Sequence, residues 1–149
     1  VYSKDILVRE AKKYMEEFVK NGNAFGELDH PESPVVSLKN ASHVVKDLYW
    51  KGDDLMGKVE LLNTPAGNIV KEIIQAGHTI GISSRGTGSV NQTNEGHLEV
   101  QPDFELVCWD FVSNPSTHGA FMNPVSLNEG KTVNKYTILD SIINDILRA

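Results

Sequence analysis

Two adjacent serines, Ser83 and Ser84, stand between glycines in Gly81-Ile82-Ser83-Ser84-Arg85-Gly86-Thr87-Gly88-Ser89. A serine nucleophile needs an exposed hydroxyl, close approach of the substrate and a base to take its proton. Glycines permit the close approach. Nearby backbone N–H groups, together with Arg85, are placed to stabilise an oxyanion. The plainer reading of the same stretch is a strand running into a bend of small residues. A phosphate-cradling loop fits less well, because the GxxxxGK[ST] spacing is missing.

Five histidines are available as the base: His30, His43, His78, His97 and His118. None pair at metal-ligand spacing on a helix, so no zinc site is expected. His30 closes a short strand pattern in Glu27-Leu28-Asp29-His30-Pro31, a good place to present an imidazole. His43 lies inside a strand pattern and reads as an ordinary half-buried residue. His78, His97 and His118 have turn-like or edge contexts. A third group should orient the base. Asp110 lies in Leu106-Val107-Cys108-Trp109-Asp110-Phe111-Val112. An acid between two aromatic residues in a strand is costly to bury without a partner. That makes it a candidate for a histidine partner, beside the plainer reading of a half-exposed strand acid. Cys108 reads as readily as a small core residue as a reactive thiol. Tyr49-Trp50 reads as core or interface.

The elements that must position these groups follow from periodicity and punctuation. Ser3 is expected to cap a helix running to about Lys20 and ended by Gly22. Its apolar face carries Leu7, Ala11, Tyr14 and Phe18 at helical spacing. Residues 24–29 read as a short strand ended by His30 and Pro31. His43 to Trp50 and Leu55 to Leu62 read as a hairpin around Lys51-Gly52-Asp53-Asp54. Thr64-Pro65 opens a second helix that stops at Gly77. His78 to Ser83, His97 to Gln101 and Phe104 to Val112 read as further strands. Ser126 to Lys131 reads as a linker. Tyr136, Leu139, Ile142, Ile143, Ile146 and Leu147 form the apolar stripe of an expected third helix. The order implies an α+β fold, a curved antiparallel sheet or barrel with helices outside it.

Composition narrows the class. The chain has 149 residues, so one domain with a substantial core is expected. Fourteen Lys and Arg against twenty Asp and Glu give a net charge of −6. That balance argues against a general binder of nucleic acid or of anionic membranes. A single cysteine excludes an internal disulfide and an all-thiolate metal site. No apolar run approaches the roughly 18 residues of a membrane span, and no secretory signal is present. The chain opens at Val1, which marks it as a fragment, a processed product or a trimmed chain.

Gly26–Pro31 (GELDHP), Asp47–Val59 (DLYWKGDDLMGKV), Ala76–Ser89 (AGHTIGISSRGTGS) and Thr93–Gly96 (TNEG) resemble, in order and approximate spacing, the prohead core proteases of T4-like tailed phages. The resemblance runs from Val1 to about Pro124. This family is related to the herpesvirus assemblin proteases. The resemblance implies an assemblin-like β-barrel of mainly antiparallel strands surrounded by helices. By the same resemblance, residues 1–127 are expected to be the protease domain; residues 128–149 are expected to be a linker and a C-terminal helix, which match the family poorly. The family's early barrel strand would precede Val1, so it is expected to be absent or to belong to an upstream region.

The resemblance also implies the site. His30 matches the catalytic histidine of G-E-L-[ND]-H-P. Ser83, rather than Ser84, matches the nucleophile of G-[IV]-S-S-R-G. Asp110 matches the third member, with Glu105 in reserve, and Arg85 and Gly86 match the motif loop with an oxyanion role. The implied activity is a serine endopeptidase that cleaves scaffold or core and capsid proteins, and itself, inside the maturing prohead in the host cytoplasm. The family favours glutamate before the cut, with an apolar residue two positions earlier. Leu127-Asn128-Glu129 fits that preference, so self-cleavage is expected between Glu129 and Gly130. A homo-oligomer is expected, with no nucleic acid or membrane partner and no metal or organic cofactor. The alternatives are a non-catalytic capsid-assembly scaffold protein that keeps the protease fold, and a serine hydrolase of small esters.

Overall fold

The computed structural model describes residues 4–92, 98–114, 122–125 and 138–142. The first helix, α1 (Lys4–Tyr14), buries Ile6, Leu7, Glu10, Ala11 and Tyr14. These positions recur at three- and four-residue steps, so a single stripe faces inward. The helix widens into one π-type turn over Met15–Val19. Gly22, at φ 74°, then reverses the chain.

Strand β1 (Phe25–Glu27) pairs antiparallel with β2 (Ala41–Lys51), and β2 forms the expected hairpin with β3 (Asp54–Leu61). The second helix, α2 (Pro65–Gln75), starts as the sequence predicts. Thr64 caps it by accepting the Gly67 N–H, with proline in the first turn. After it run β4 (Gly81–Thr87), β5 (Val90–Gln92), β6 (Leu98–Val100), β7 (Glu105–Val112), β8 (Met122–Val125) and β9 (Ile138–Ile142).

The described strands form three antiparallel sheets: β1-β2-β3-β9-β8, the ribbon β4-β7 and the ribbon β5-β6. This is a mixed helix-and-sheet fold. Among the described residues no continuous ladder closes the sheets into a barrel. The large sheet and the β4-β7 ribbon meet at a parallel bridge between Leu28 and Phe111 and at a hydrogen bond from Met122 N–H to Ile80 C=O.

Three expectations are corrected. Residues 138–142 form a strand, not part of a third helix. Leu139 and Ile142 belong to the expected helical stripe, but β-branched residues such as Ile138 and Ile142 also suit a strand. The β3 edge offers a whole row of unpaired backbone groups, and β9 takes it from Glu60↔Ile138 to Met56↔Ile142. Ser83 to Thr87 continue β4 rather than bending away, because Ser83, Ser84 and Arg85 pair in register with Asp110, Trp109 and Cys108. His43 is fully buried, not half-buried. The π-type turn after α1, β5 and β8 carry no clear sequence signal.

The core lies between α1, the β2-β3 hairpin and one face of the β4-β7 ribbon. It contains Leu7, Tyr14, Val45, Leu55, Val59, Leu61, Ile82, Trp109 and Phe111. Full burial of side chains such as these stabilises by roughly 1.5–3 kcal/mol each. The Tyr14 ring meets the Trp109 ring edge-on at 5.0 Å. Two polar contacts fix α1 on the ribbon: Leu106 N–H donates to Glu10 Oε1 at 2.9 Å, and Arg9 Nη2 donates to Phe104 C=O at 2.9 Å.

Candidate active site

Alternation along a strand divides the β4-β7 ribbon into two faces. Ile82, Trp109 and Phe111 point into the apolar core. Ser83, Arg85, Cys108 and Asp110 share the other face. They are all buried, and they sit against the segment that follows β1.

That segment is aimed by two backbone features. Gly26 lets β1 press against β7: a Cβ there would lie 2.1 Å from Trp109 C=O and 2.2 Å from His43 Nε2. Asp29 adopts φ 68°, a left-handed conformation that asparagine and aspartate tolerate better than other side chains. This supplies a physical reason for the asparagine-or-aspartate choice at that motif position. The Asp29 N–H donates to Phe111 C=O at 2.8 Å. His30 follows immediately and turns back over Asp110.

His30 Nδ1 lies 2.7 Å from Asp110 Oδ2. An ionised carboxylate only accepts, so Nδ1 carries the proton and donates it. The lone pair then sits on Nε2, which has no hydrogen-bond partner among the described residues. The His30 side chain is 39% exposed and the Asp110 side chain 0%. Burial alone would raise the Asp110 carboxyl. The hydrogen bond from His30, the Glu27 N–H at 3.0 Å and the Arg85 guanidinium outweigh burial and hold it below the usual carboxylate range. Asp110 is therefore an ionised partner of the kind that a histidine base requires.

Ser83 stands directly opposite Asp110 in the ladder. Directly opposed residues of an antiparallel pair hold their Cβ atoms about 4.5–5.5 Å apart. Ser84 pairs with Trp109 and belongs to the opposite face. The structure thus brings Ser83, His30 and Asp110 into one corner and keeps Ser84 out of it. A Ser83–His30 hydrogen bond is not among the contacts of His30. Such bonds are often long before substrate arrives.

Arg85 lies beneath this corner. Its Nε donates to Asp110 Oδ2 at 2.9 Å, and its Nη1 to Ser33 C=O at 2.9 Å and Val35 C=O at 3.1 Å. Its Nη2 donates to Glu27 Oε2 at 2.7 Å, Asp110 Oδ1 at 3.2 Å and Cys108 Sγ at 3.2 Å. A guanidinium has five N–H donors, and all five are engaged. The side chain therefore has none left for a substrate oxyanion. Gly86 is required for packing, since a Cβ there would lie 2.3 Å from the Phe104 ring. Burial pushes the Cys108 thiol up, which leaves it a thiol that donates to Asp110 Oδ1 at 3.3 Å. Glu105, the reserve acid, is exposed and stands opposite Thr87. Glu129 and Gly130 lie outside the described residues, as do His97 and His118.

Sequence reasoning assigns no role to Glu27, although it lies inside the quoted motif. The signal was present: a carboxylate in a three-residue strand between apolar neighbours needs a partner if it is buried. Glu27 is 2% exposed. At the Thr87–Glu105 end of the ribbon, Phe18, Phe25, Val35, Leu38 and Leu106, with Lys13, Glu17 and Glu105, help line a pocket of about 620 Å³.

Residues 1–132 match the family model described as prohead core protein serine protease. The chain is 36% identical over 143 residues to the prohead core protein protease of Enterobacteria phage T4, covering 94% of this chain and 68% of that protein. Its fold matches the solved structure of the bacteriophage T4 capsid assembly protease with a TM-score of 0.72 and 35% identity. That match covers 77% of this chain and 72% of the other.

Proposed function

From membership in the prohead core protein serine protease family, to which this chain belongs, we propose that Ser83 is the nucleophile, His30 the general base and Asp110 its orienter. The observation that carries this assignment is the short His30–Asp110 contact beside Ser83, which the ladder places opposite Asp110. In the first step, Ser83 Oγ bonds to the carbonyl carbon of the scissile peptide while its proton passes to His30 Nε2. Asp110 stabilises the imidazolium that forms. The intermediate then collapses, the C–N bond breaks, and His30 returns the proton to the leaving amine. Water attacks the acyl-enzyme through the same base, and Ser83 is released with its proton.

The substrates in this reading are scaffold or core proteins and capsid proteins inside the prohead, cut after glutamate. The parallel bridge at Leu28 and Phe111 supports reading the large sheet and the β4-β7 ribbon as parts of the barrel that the resemblance implies. Self-cleavage between Glu129 and Gly130 belongs to the same reading. Beyond that bond lies β9, paired to β3 on one side and β8 on the other. The released piece then stays bound until the protein unfolds.

The test is mass spectrometry of the full chain and its Ser83→Ala variant after incubation at neutral pH, alone and with a peptide carrying an apolar-x-Glu sequence. Products ending at glutamate from the parent alone, together with a fragment ending at Glu129 seen only under denaturing conditions, are expected. Equal cleavage by both proteins would remove Ser83 from the mechanism. No cleavage by either would favour a scaffold protein with a retired site.

A further inference from the structure

Arg85 makes six hydrogen bonds to described residues, and the three-residue mechanism gives it no part. Its partners come from every piece that must be in place for the base to work. Nε and Nη2 grip both oxygens of Asp110. Nη2 also grips Glu27 at the end of β1. Nη1 holds the carbonyls of Ser33 and Val35, in the loop after His30. His30 lies on a segment with no ladder of its own. It is tied on one side by the Asp29 N–H to Phe111 and on the other by Arg85 Nη1.

We infer that Arg85 is a positioning residue for the Asp110–His30 pair, acting through its guanidinium rather than on the substrate. This rests on the assignment of Ser83, His30 and Asp110 above. A planar fork gripping both oxygens fixes the rotation of the Asp110 carboxylate, so Oδ2 points at His30 Nδ1. The same plane fixes the loop that carries the imidazole. Lysine supplies the charge but not the fork. Glu27 completes the arrangement electrostatically. Two carboxylates around one guanidinium leave one net negative charge, which is what an imidazolium at His30 requires. Arg85 opposite Asp110 alone would cancel that charge.

The experiment compares the full chain with Arg85→Lys, Arg85→Ala and Glu27→Gln, using the apolar-x-Glu peptide and ¹H NMR of the downfield imidazole N–H region. The His30 Nδ1–H resonance is identified by its loss in His30→Gln. Arg85→Lys is expected to lower kcat by about a hundredfold, the cost of misplacing a catalytic group by about 1 Å, with KM within about threefold. The His30 resonance should move upfield or vanish while the far-UV spectrum stays that of the parent. Methylguanidinium should restore at least about tenfold of the kcat lost in Arg85→Ala, and sodium chloride at equal ionic strength should not. Glu27→Gln leaves the fork in place and is expected to lose about tenfold.

A folded Arg85→Lys with parental kcat and an unmoved His30 resonance overturns the inference. If Arg85→Ala fails to fold, Arg85→Lys and Glu27→Gln decide. If the parent itself cleaves nothing, the triad reading fails, while the resonance still reports whether Arg85 holds the pair.

Discussion

Two histidines approach the same strand, β7, from opposite faces, and their surroundings give them opposite chemistry. His43 reaches it from β2 through the core. Its Nε2 lies 2.8 Å from Trp109 C=O, which can only accept, so Nε2 carries the proton. Nδ1 then accepts from Ser42 Oγ at 2.6 Å. Both nitrogens are used, the ring packs 4.2 Å from the Phe111 ring, and burial pushes its pKa down to about 4. His30 reaches β7 from the solvent side, spends only Nδ1, and keeps Nε2. A serine–histidine pair exists in both places. Only the one with a carboxylate behind it, and an opening in front of it, can do acyl transfer. What separates a base from a strut is therefore the number of nitrogens already committed and the charge waiting for the imidazolium.

Substituting each histidine in the same way is the hardest test of this contrast. His30→Gln is expected to lower kcat/KM by about a thousandfold or more and to leave the unfolding temperature within about 2 °C. His43→Gln should do the reverse, losing about 1–3 kcal/mol of stability while folded enzyme keeps activity within about tenfold. Thermal unfolding and peptide cleavage on both variants decide it, and an exchange of the two outcomes would break the comparison.

The pH dependence of stability sharpens it. His43 has a folded pKa of about 4 against 6.5 for the free group, so below 6.5 the unfolded chain binds the proton and the folded one does not. Stability is complete above pH 6.5 and falls as pH drops toward 4, by about 3 kcal/mol. Asp110, depressed in the folded state, adds its own loss lower down, starting near 3.8. Urea titrations between pH 7 and 4 should show the decline in the parent and a flattened one in His43→Gln. An equal slope in both would mean that other groups set it.

The two histidines share Gly26, which touches one and aims the other. Gly26→Ala places a methyl carbon onto the Trp109 carbonyl and the His43 ring. It is expected to cost about 1–3 kcal/mol or more and to lower activity, with calorimetry and turnover falling together. The smallest effect is at Asp29. Asp29→Val should cost about 1–2 kcal/mol at its left-handed φ, while Asp29→Asn stays near the parent. Equal unfolding temperatures for the two would show that the backbone there relaxes freely.

The sequence by itself determined a good deal, and for local reasons. Thr64-Pro65 starts a helix because a hydroxyl cap and a proline satisfy the first turn without help. Lys51-Gly52-Asp53-Asp54 closes a hairpin because Gly52 takes φ 63°. The motifs around His30 and Ser83 single out these two residues as the proposed base and nucleophile, because that chemistry needs an imidazole and a hydroxyl. Only the tertiary structure decided the rest. Residues 138–142 fall in a helical stripe, and the unpaired edge of β3 chose the strand. The Ser83–Arg85 stretch looks like a bend until β7 lies beside it. Arg85 reads as a donor for a substrate until Glu27, Ser33, Val35 and Asp110, from two distant parts of the chain, are seen to take every N–H it has. Hydrogen-bond capacity is local, but whether it is already spent depends on what long-range folding brings within 3 Å.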